Sequence, residues 1–228
     1  MQMINLKCQA ILFDLDGTLV DSTACVEQHW REWATKHDLN AEEILNISHG
    51  RPTIDTVALV APDLDAEAEA KALDESQANN LESVVAVPGA IALLNSLPKN
   101  KWAIVTSGNR SIATNRLLHV GIPIPECLIT TDDVEQYKPH PEGYFKAARY
   151  LGVASEHCVV VEDAPVGIQA AHAAKMKAIA VATTYSPSNL SKADICIPAL
   201  VNILIKQYST WEDKDARLEL EILLSANF

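Results

Sequence analysis

Five short apolar runs, separated by helix-like stretches, set the limits on how this chain can fold. Ala10-Ile11-Leu12-Phe13 runs into Asp14, Trp102-Ala103-Ile104-Val105 into Thr106, Cys127-Leu128-Ile129 into Thr130, and Cys158-Val159-Val160-Val161 into Glu162-Asp163. Ala178-Ile179-Ala180-Val181 is the last such run. Short apolar runs bounded by polar residues suit strands buried on both faces. Between them the pattern predicts helices over Ser111–His119, Pro141–Leu151 and Val166–Lys175, with Gly121 and Gly152 placed where a helix C-terminal glycine belongs. Apolar strands alternating with helices imply an α/β fold with a doubly wound parallel sheet. Such sheets carry their sites at the carboxyl ends of the strands.

One stretch breaks the alternation. From Leu19 to Val87 the chain carries helix signals and no run comparable to the first. Asp21-Ser22 or Ser22-Thr23 can cap a helix with Val26, Trp30, Trp33 and Ala34 on its apolar side, and Asn40 can cap a second. A third runs over Ile54–Val60 up to Pro62, and the acidic, Ala-rich residues 63–84 have apolar residues at helical spacing. The expected organisation is a discontinuous core of residues 1–19 and 87–228, with residues 20–86 inserted as an α-helical cap over the edge where the first strand ends. The charged tail after Tyr208, with Asp213-Lys214-Asp215, has no assigned role.

Composition narrows the partners. Hydrophobic residues make up 48% of the chain, enough for a core. Eighteen Lys+Arg against 30 Asp+Glu give a net charge of −12, which argues against nucleic acid and against anionic membrane surfaces. It does not argue against an anionic small molecule, because a metal and a few cations can reverse the field in one cleft. The five cysteines are odd in number and scattered, which indicates neither a disulfide framework nor a zinc knuckle, and suits the cytoplasm. The first residues lack a signal-peptide pattern and no apolar run approaches a membrane span. A monomer is expected.

The residues that end the strands are complementary. Asp14 and Asp16, spaced i and i+2, fall on one side of an extended chain. Carboxylates at the end of a buried strand are costly without a positive partner, and Mg²⁺, a hard cation that takes oxygen ligands, would supply one. Gly17 lets the backbone come close to a ligand. Thr106 offers a hydroxyl, and Ser107 and Gly108 offer backbone N–H groups before a helix, which is a seat for an anion. Lys138, in Lys138-Pro139-His140-Pro141, offers a point charge on a segment stiffened by two prolines. Glu162 and Asp163 complete a hard-oxygen ligand set. Hydroxyl, amides, cation and metal together are what phosphoryl transfer needs. Taken singly, each has a plainer reading: solvated acids in a turn, a helix-capping Thr, a solvated Lys.

Asp-Leu-Asp-Gly-Thr-Leu at Asp14–Leu19, Thr-Ser-Gly at Thr106–Gly108, Lys-Pro at Lys138-Pro139 and Glu-Asp at Glu162-Asp163 resemble, in order, the four motifs of the haloacid dehalogenase superfamily. The resemblance spans Ala10 to about Val181. The helical insertion resembles the cap of the subfamily that contains β-phosphoglucomutase. Residues Ser48–Thr56 and Glu162–Ile168 look closer to sugar-phosphate, glycerol-phosphate and 2-deoxyglucose-6-phosphate phosphatases. The resemblance implies Asp14 as nucleophile forming an aspartyl-phosphate, and Asp16 as the group that protonates the leaving alcohol and then deprotonates water. It implies Mg²⁺ held by Asp14, the backbone carbonyl of Asp16, and Asp163, with Glu162 either binding through water or orienting Lys138.

The expected function is therefore a Mg²⁺-dependent phosphatase acting on phosphomonoesters of small sugars or polyols. Specificity is expected in the cap, where His49, Arg51, Thr53 and Asp55 cluster in a loop rich in hydrogen-bonding groups. The plainer alternative there is a helix–helix turn with Arg51 solvated and Thr53 capping a helix. Trp30 and Trp33 could shape the pocket, though on an amphipathic helix such a pair is more often core, and His29, His37 and His119 show no partner pattern. Two rivals remain: a sugar phosphomutase of the same fold, and a phospho-aspartate receiver module. Asp16 and the large insertion weigh against the second.

Overall fold

The computed structural model describes residues 2–207 and 217–224. In chain order the elements are β1 (Gln2–Cys8), β2 (Ala10–Phe13), β3 (Val20–Asp21), α1 (Thr23–Lys36), α2 (Ala41–Ser48), α3 (Thr53–Val60), α4 (Ala66–Asn79), β4 (Val85–Ala86), α5 (Ala90–Asn95), β5 (Trp102–Val105), α6 (Arg110–His119), β6 (Leu128–Ile129), α7 (Glu142–Tyr150), β7 (Cys158–Glu162), α8 (Pro165–Ala173), β8 (Lys177–Val181), β9 (Ile195–Ile197), β10 (Ile203–Gln207) and β11 (Leu218–Leu224).

The main sheet has six strands in the order β6-β5-β2-β7-β8-β9, every pair parallel. The chain winds from β2 outward through β5 and β6, then crosses to β7 and winds the other way. The loops after β2 and β7 therefore part company, which opens a crevice at the carboxyl edge. The apolar runs are buried on both faces, as a parallel sheet requires. Ile11 and Phe13 of β2 join one cluster with α5 and α6, while Ala10 and Leu12 join another with α7 and α8.

Helices α1 to α4 form a separate small core built on Trp30, Trp33, Ile44, Leu45, Val57 and Leu73. Trp30 and Trp33 meet edge to face at 5.5 Å within this core, and Trp30 also lines the crevice beneath it. Asn40 caps α2 through the Glu42 N–H, as its type predicts. Where the chain leaves and re-enters the main layer, Val20 pairs with Ala86 and Asp21 with Val85. That two-residue antiparallel pairing, made by strands on either side of the four helices, corrects a purely helical reading of the stretch.

Four more elements were not visible in the apolar runs. Ala178–Val181 is not the last strand, because β9 pairs with β8 in parallel. β1, β11 and β10 form a second, antiparallel sheet in which β11 pairs with both others. Part of the tail thus has a structural role: Leu218, Leu220 and Ile222 are buried in the cluster around α5. Asp213, Lys214 and Asp215 lie outside the described residues. The short α5, introduced by Gly89 at φ +93°, also escaped the sequence pattern. Among the described residues no helix is long and apolar enough to cross a membrane.

Candidate active site

Asp14 follows β2 and Asp163 follows β7, side by side at the point where the winding reverses. Asp14, Glu162 and Asp163 are all buried, and each offers a carboxylate oxygen within 4.8 Å of the others. Lys138 is buried among them, donating from Nζ to Asp14 Oδ1 at 2.5 Å and to Glu162 Oε1 at 2.7 Å. Burial pushes the Asp14 carboxyl up to about 7, with Lys138 opposing and Glu162 and Asp16 adding to the rise. Asp163 is raised well above the usual range, by burial first and then by the charges of Asp14 and Glu162. Burial works against the Lys138 ammonium, yet Asp14 and Glu162 hold it charged well above its ordinary range. Three carboxylates around one ammonium leave a surplus of negative charge in a poorly solvated place, and all the spare donors are hard oxygens. This donor set fits a divalent cation.

The four members are not equivalent. Glu162 Oε1 accepts from Lys138 and from the Tyr144 hydroxyl (3.1 Å), while Oε2 accepts the backbone N–H groups of Asp163 and Ala164, both at 3.0 Å. Both Glu162 oxygens are thus engaged, one of them by Lys138. Asp14 and Asp163 face the crevice instead, where Thr18 and Thr184 donate to Asp163. Gly17 sits at φ +84°, and a Cβ there would overlap Asp163 Oδ2. The close approach that requires glycine is thus to a side chain of the site itself.

Thr106 lies beside Asp14 at the end of β5 and is buried. Its Oγ1 accepts the Gly108 N–H at 3.0 Å. Of the two amides expected to receive an anion, that of Gly108 is therefore already committed within the turn. The Ser107 hydroxyl donates to the Gly50 carbonyl at 2.8 Å, a contact with the insertion. The helix after this turn begins at Arg110, one residue earlier than the pattern suggested, with Asn109 as its cap.

Asp16 is set apart from the acidic cluster. Its Oδ1 accepts from the Ser22 hydroxyl (2.7 Å) and from Arg116 of α6 (2.5 Å). Ser22, read as a helix cap, makes no side-chain cap bond and serves Asp16 instead. Above these residues lies a cleft, open to solvent, between the sheet edge and the insertion. His49, Arg51 and Thr53 line it; Asp55 is exposed and does not. Arg51 is half-buried with no hydrogen bond to its guanidinium among the described residues. The Thr53 hydroxyl donates to Asp74 at 2.5 Å, which replaces the capping role considered for it. His49 packs edge-on against Tyr185 at 6.3 Å, and burial lowers its pKa. His29, His37 and His119 lie off the cleft: His29 bonds the Cys25 carbonyl at 2.7 Å and His37 meets Glu69 at 3.1 Å.

Tyr144, Thr184, Arg116 and Gln77 were missed by sequence reasoning. Each sits in a helix or loop where one polar residue gives no distinguishing signal. Only the position of Arg116 and Gln77 on the buried sides of facing helices identifies them.

A family model described as haloacid dehalogenase-like hydrolase matches residues 11–181. Hexitol phosphatase A of Escherichia coli is 40% identical over 205 residues, covering 88% of this chain and 95% of the relative. Glycerol-1-phosphate phosphohydrolase 2 of Saccharomyces cerevisiae is 38% identical over 225 residues, covering 92% and 90%. A hydrolase from Pseudomonas syringae superposes with a TM-score of 0.76 at 28% identity, covering 85% of this chain and 94% of that one. With its motifs drawn to one crevice and its match extending through every strand that shapes that crevice, the chain belongs to the haloacid dehalogenase-like hydrolases.

Proposed function

We propose that this protein is a phosphatase for phosphomonoesters of small sugars or polyols, working through an aspartyl-phosphate on Asp14 with Mg²⁺ as its cation. The observation that carries the reading is the contrast between two acids two residues apart. Asp14 is buried against Lys138 and the metal-fitting cluster, while Asp16 stands clear of it and faces the cleft. Asp14 on this reading attacks phosphorus and Asp16 handles a proton.

In this reading Thr106 and the Ser107 amide receive the phosphoryl oxygens, and Lys138 offsets their charge. A bound Mg²⁺ on Asp14, Asp163 and the Asp16 carbonyl would supply the remaining positive charge that a phosphate dianion needs. An Asp14 oxygen attacks phosphorus, the ester P–O bond breaks, and Asp16 passes its proton to the departing alkoxide. Asp16 then takes a proton from water as that water attacks phosphorus. The Asp14–phosphorus bond breaks and inorganic phosphate leaves. Residues 20–86 act as a cap that excludes bulk water during transfer. His49 and Arg51 select the alcohol, Arg51 through a guanidinium able to fork onto hydroxyls. The hydroxyl-rich alcohols named for the two curated relatives support the substrate class. The protein is read as a monomer of the cytoplasm, a compartment that the five free cysteines suit.

The test is phosphate release across hexitol, sugar and glycerol phosphates, with and without EDTA. Release from polyol phosphates that stops in EDTA and returns with Mg²⁺ is expected. No release from any monoester, or interconversion of sugar phosphates without free phosphate, would overturn the reading.

A further inference from the structure

Arg116 is a buried charge that the phosphatase reading does not use. Its side chain is 3% exposed. One guanidinium nitrogen donates to Asp16 Oδ1 at 2.5 Å, and the other donates to Gln77 Oε1 at 3.0 Å. The three residues come from three places: Asp16 from the loop leading into the insertion, Arg116 from α6 of the main layer, and Gln77 from α4 of the insertion. Nε is buried with no hydrogen-bond partner among the described residues, while the guanidinium also meets the Cys25 thiol of α1. A buried charge fixed only for stability would be expected to have all its donors satisfied, because desolvating an unpaired donor is unfavourable. One nitrogen thus serves Asp16 and the other serves Gln77 of the insertion, while Nε is left over. Neighbouring bonds tie the same two helices together: Asn109 Nδ2 to Asp74 Oδ2 at 3.0 Å and Asn115 Nδ2 to the Ala78 carbonyl at 2.9 Å. Those two contacts do not involve Asp16. Among the described residues, Arg116 alone joins the docking of α4 to an acid in the cleft.

We propose that Arg116 is a positioning residue that sets the carboxyl of Asp16 for leaving-group chemistry only when Gln77 of the insertion is docked beside it. The inference rests on the phosphatase reading and adds to it a link between closure and the proton-handling step. The fixed fork of a guanidinium can hold both partners at once, whereas an ammonium at the same place would hold one.

The test separates bond cleavage from the later hydrolysis. With enzyme in excess over substrate, single-turnover ester cleavage is measured for glycerol phosphate, whose alkoxide needs a proton, and for p-nitrophenyl phosphate, whose leaving group does not. The wild-type protein must cleave glycerol phosphate; if it does not, the phosphatase reading fails before this one is reached. Arg116→Met is expected to slow cleavage of glycerol phosphate on the order of 10²-fold, and that of p-nitrophenyl phosphate by less than about 10-fold. Arg116→Lys should recover part of the loss. Gln77→Leu, which keeps the Arg116–Asp16 pair, should show the same preference for the aryl ester at a smaller size, about 10-fold. Equal losses on both esters, a loss carried by KM alone, or a Gln77→Leu protein with wild-type cleavage rates would overturn the inference. Should Arg116→Met fail to fold, Arg116→Lys and Gln77→Leu decide by the same ester contrast.

Discussion

Asp14 and Asp163 carry a consequence for stability that can be worked out from their environment. An unfolded Asp releases its proton near pH 3.8, whereas burial holds that of Asp14 until about 7 and shifts Asp163 in the same direction. Across that window the folded protein binds more protons than the unfolded one, so stability falls as pH rises. The contribution is fully present below the unfolded pKa and lost as pH climbs through the folded one. In EDTA the melting temperature should therefore drop between about pH 4 and pH 7 from this source, and added Mg²⁺ should raise it more at about pH 7.5 than at about pH 5, because protons and metal compete for the same oxygens. An Mg²⁺ effect equal at both pH values would contradict the account. The acids themselves were legible in the sequence because each ends an apolar run, where an unpaired carboxylate is hard to explain otherwise. Tyr144 and Arg116 were not. A tyrosine or arginine on an amphipathic helix looks the same whether it meets solvent, core or a buried carboxylate.

At the scale of elements, the site depends on how closely α8 approaches the end of β7. Gly167 lies in the first turns of α8, and a Cβ there would overlap Glu162 Oε1, the atom that receives Lys138 and Tyr144. Gly167→Ala should displace Glu162 and, through it, Lys138. The expected cost is about 1–3 kcal/mol of stability and a loss of phosphate release on the order of 10²-fold, read by denaturant melts and steady-state assay. An alanine variant with wild-type rates would show that Lys138 is placed by other means. The strands of the central sheet were legible because burial on both faces leaves continuous apolar runs. The turn after β5 was legible only in part: residue types indicated an anion seat, but which amide the Thr106 hydroxyl would occupy depends on turn geometry that composition does not encode.

Across the whole molecule, the second sheet joins the two ends of the chain, and its strands were hard to read for a physical reason. β1 alternates exposed residues with buried or half-buried ones and β11 buried with half-buried ones, and their pairing connects residues 2–8 with 218–224, so neither looks like a strand until its partner is known. Leu220 of β11 is fully buried against α5 and the central sheet. Leu220→Ala should cost about 2–5 kcal/mol while leaving kcat unchanged at a temperature where the variant is folded, since no described residue of the second sheet lines the cleft; a large fall in kcat would give the tail a role in catalysis instead. What the fold as a whole achieves is to bring a strand-end acid, a lysine from a distant loop and a second strand-end pair to one crevice beneath the helical insertion. The central claim is that Asp14 there becomes covalently phosphorylated. The most direct measurement is acid-quenching of the enzyme during turnover of a phosphomonoester labelled in its phosphoryl group, followed by mapping of the label to a peptide. The account predicts label on Asp14, released by hydroxylamine and absent from Asp14→Asn. Turnover with no label on the protein, or label on another residue that survives in Asp14→Asn, would contradict it.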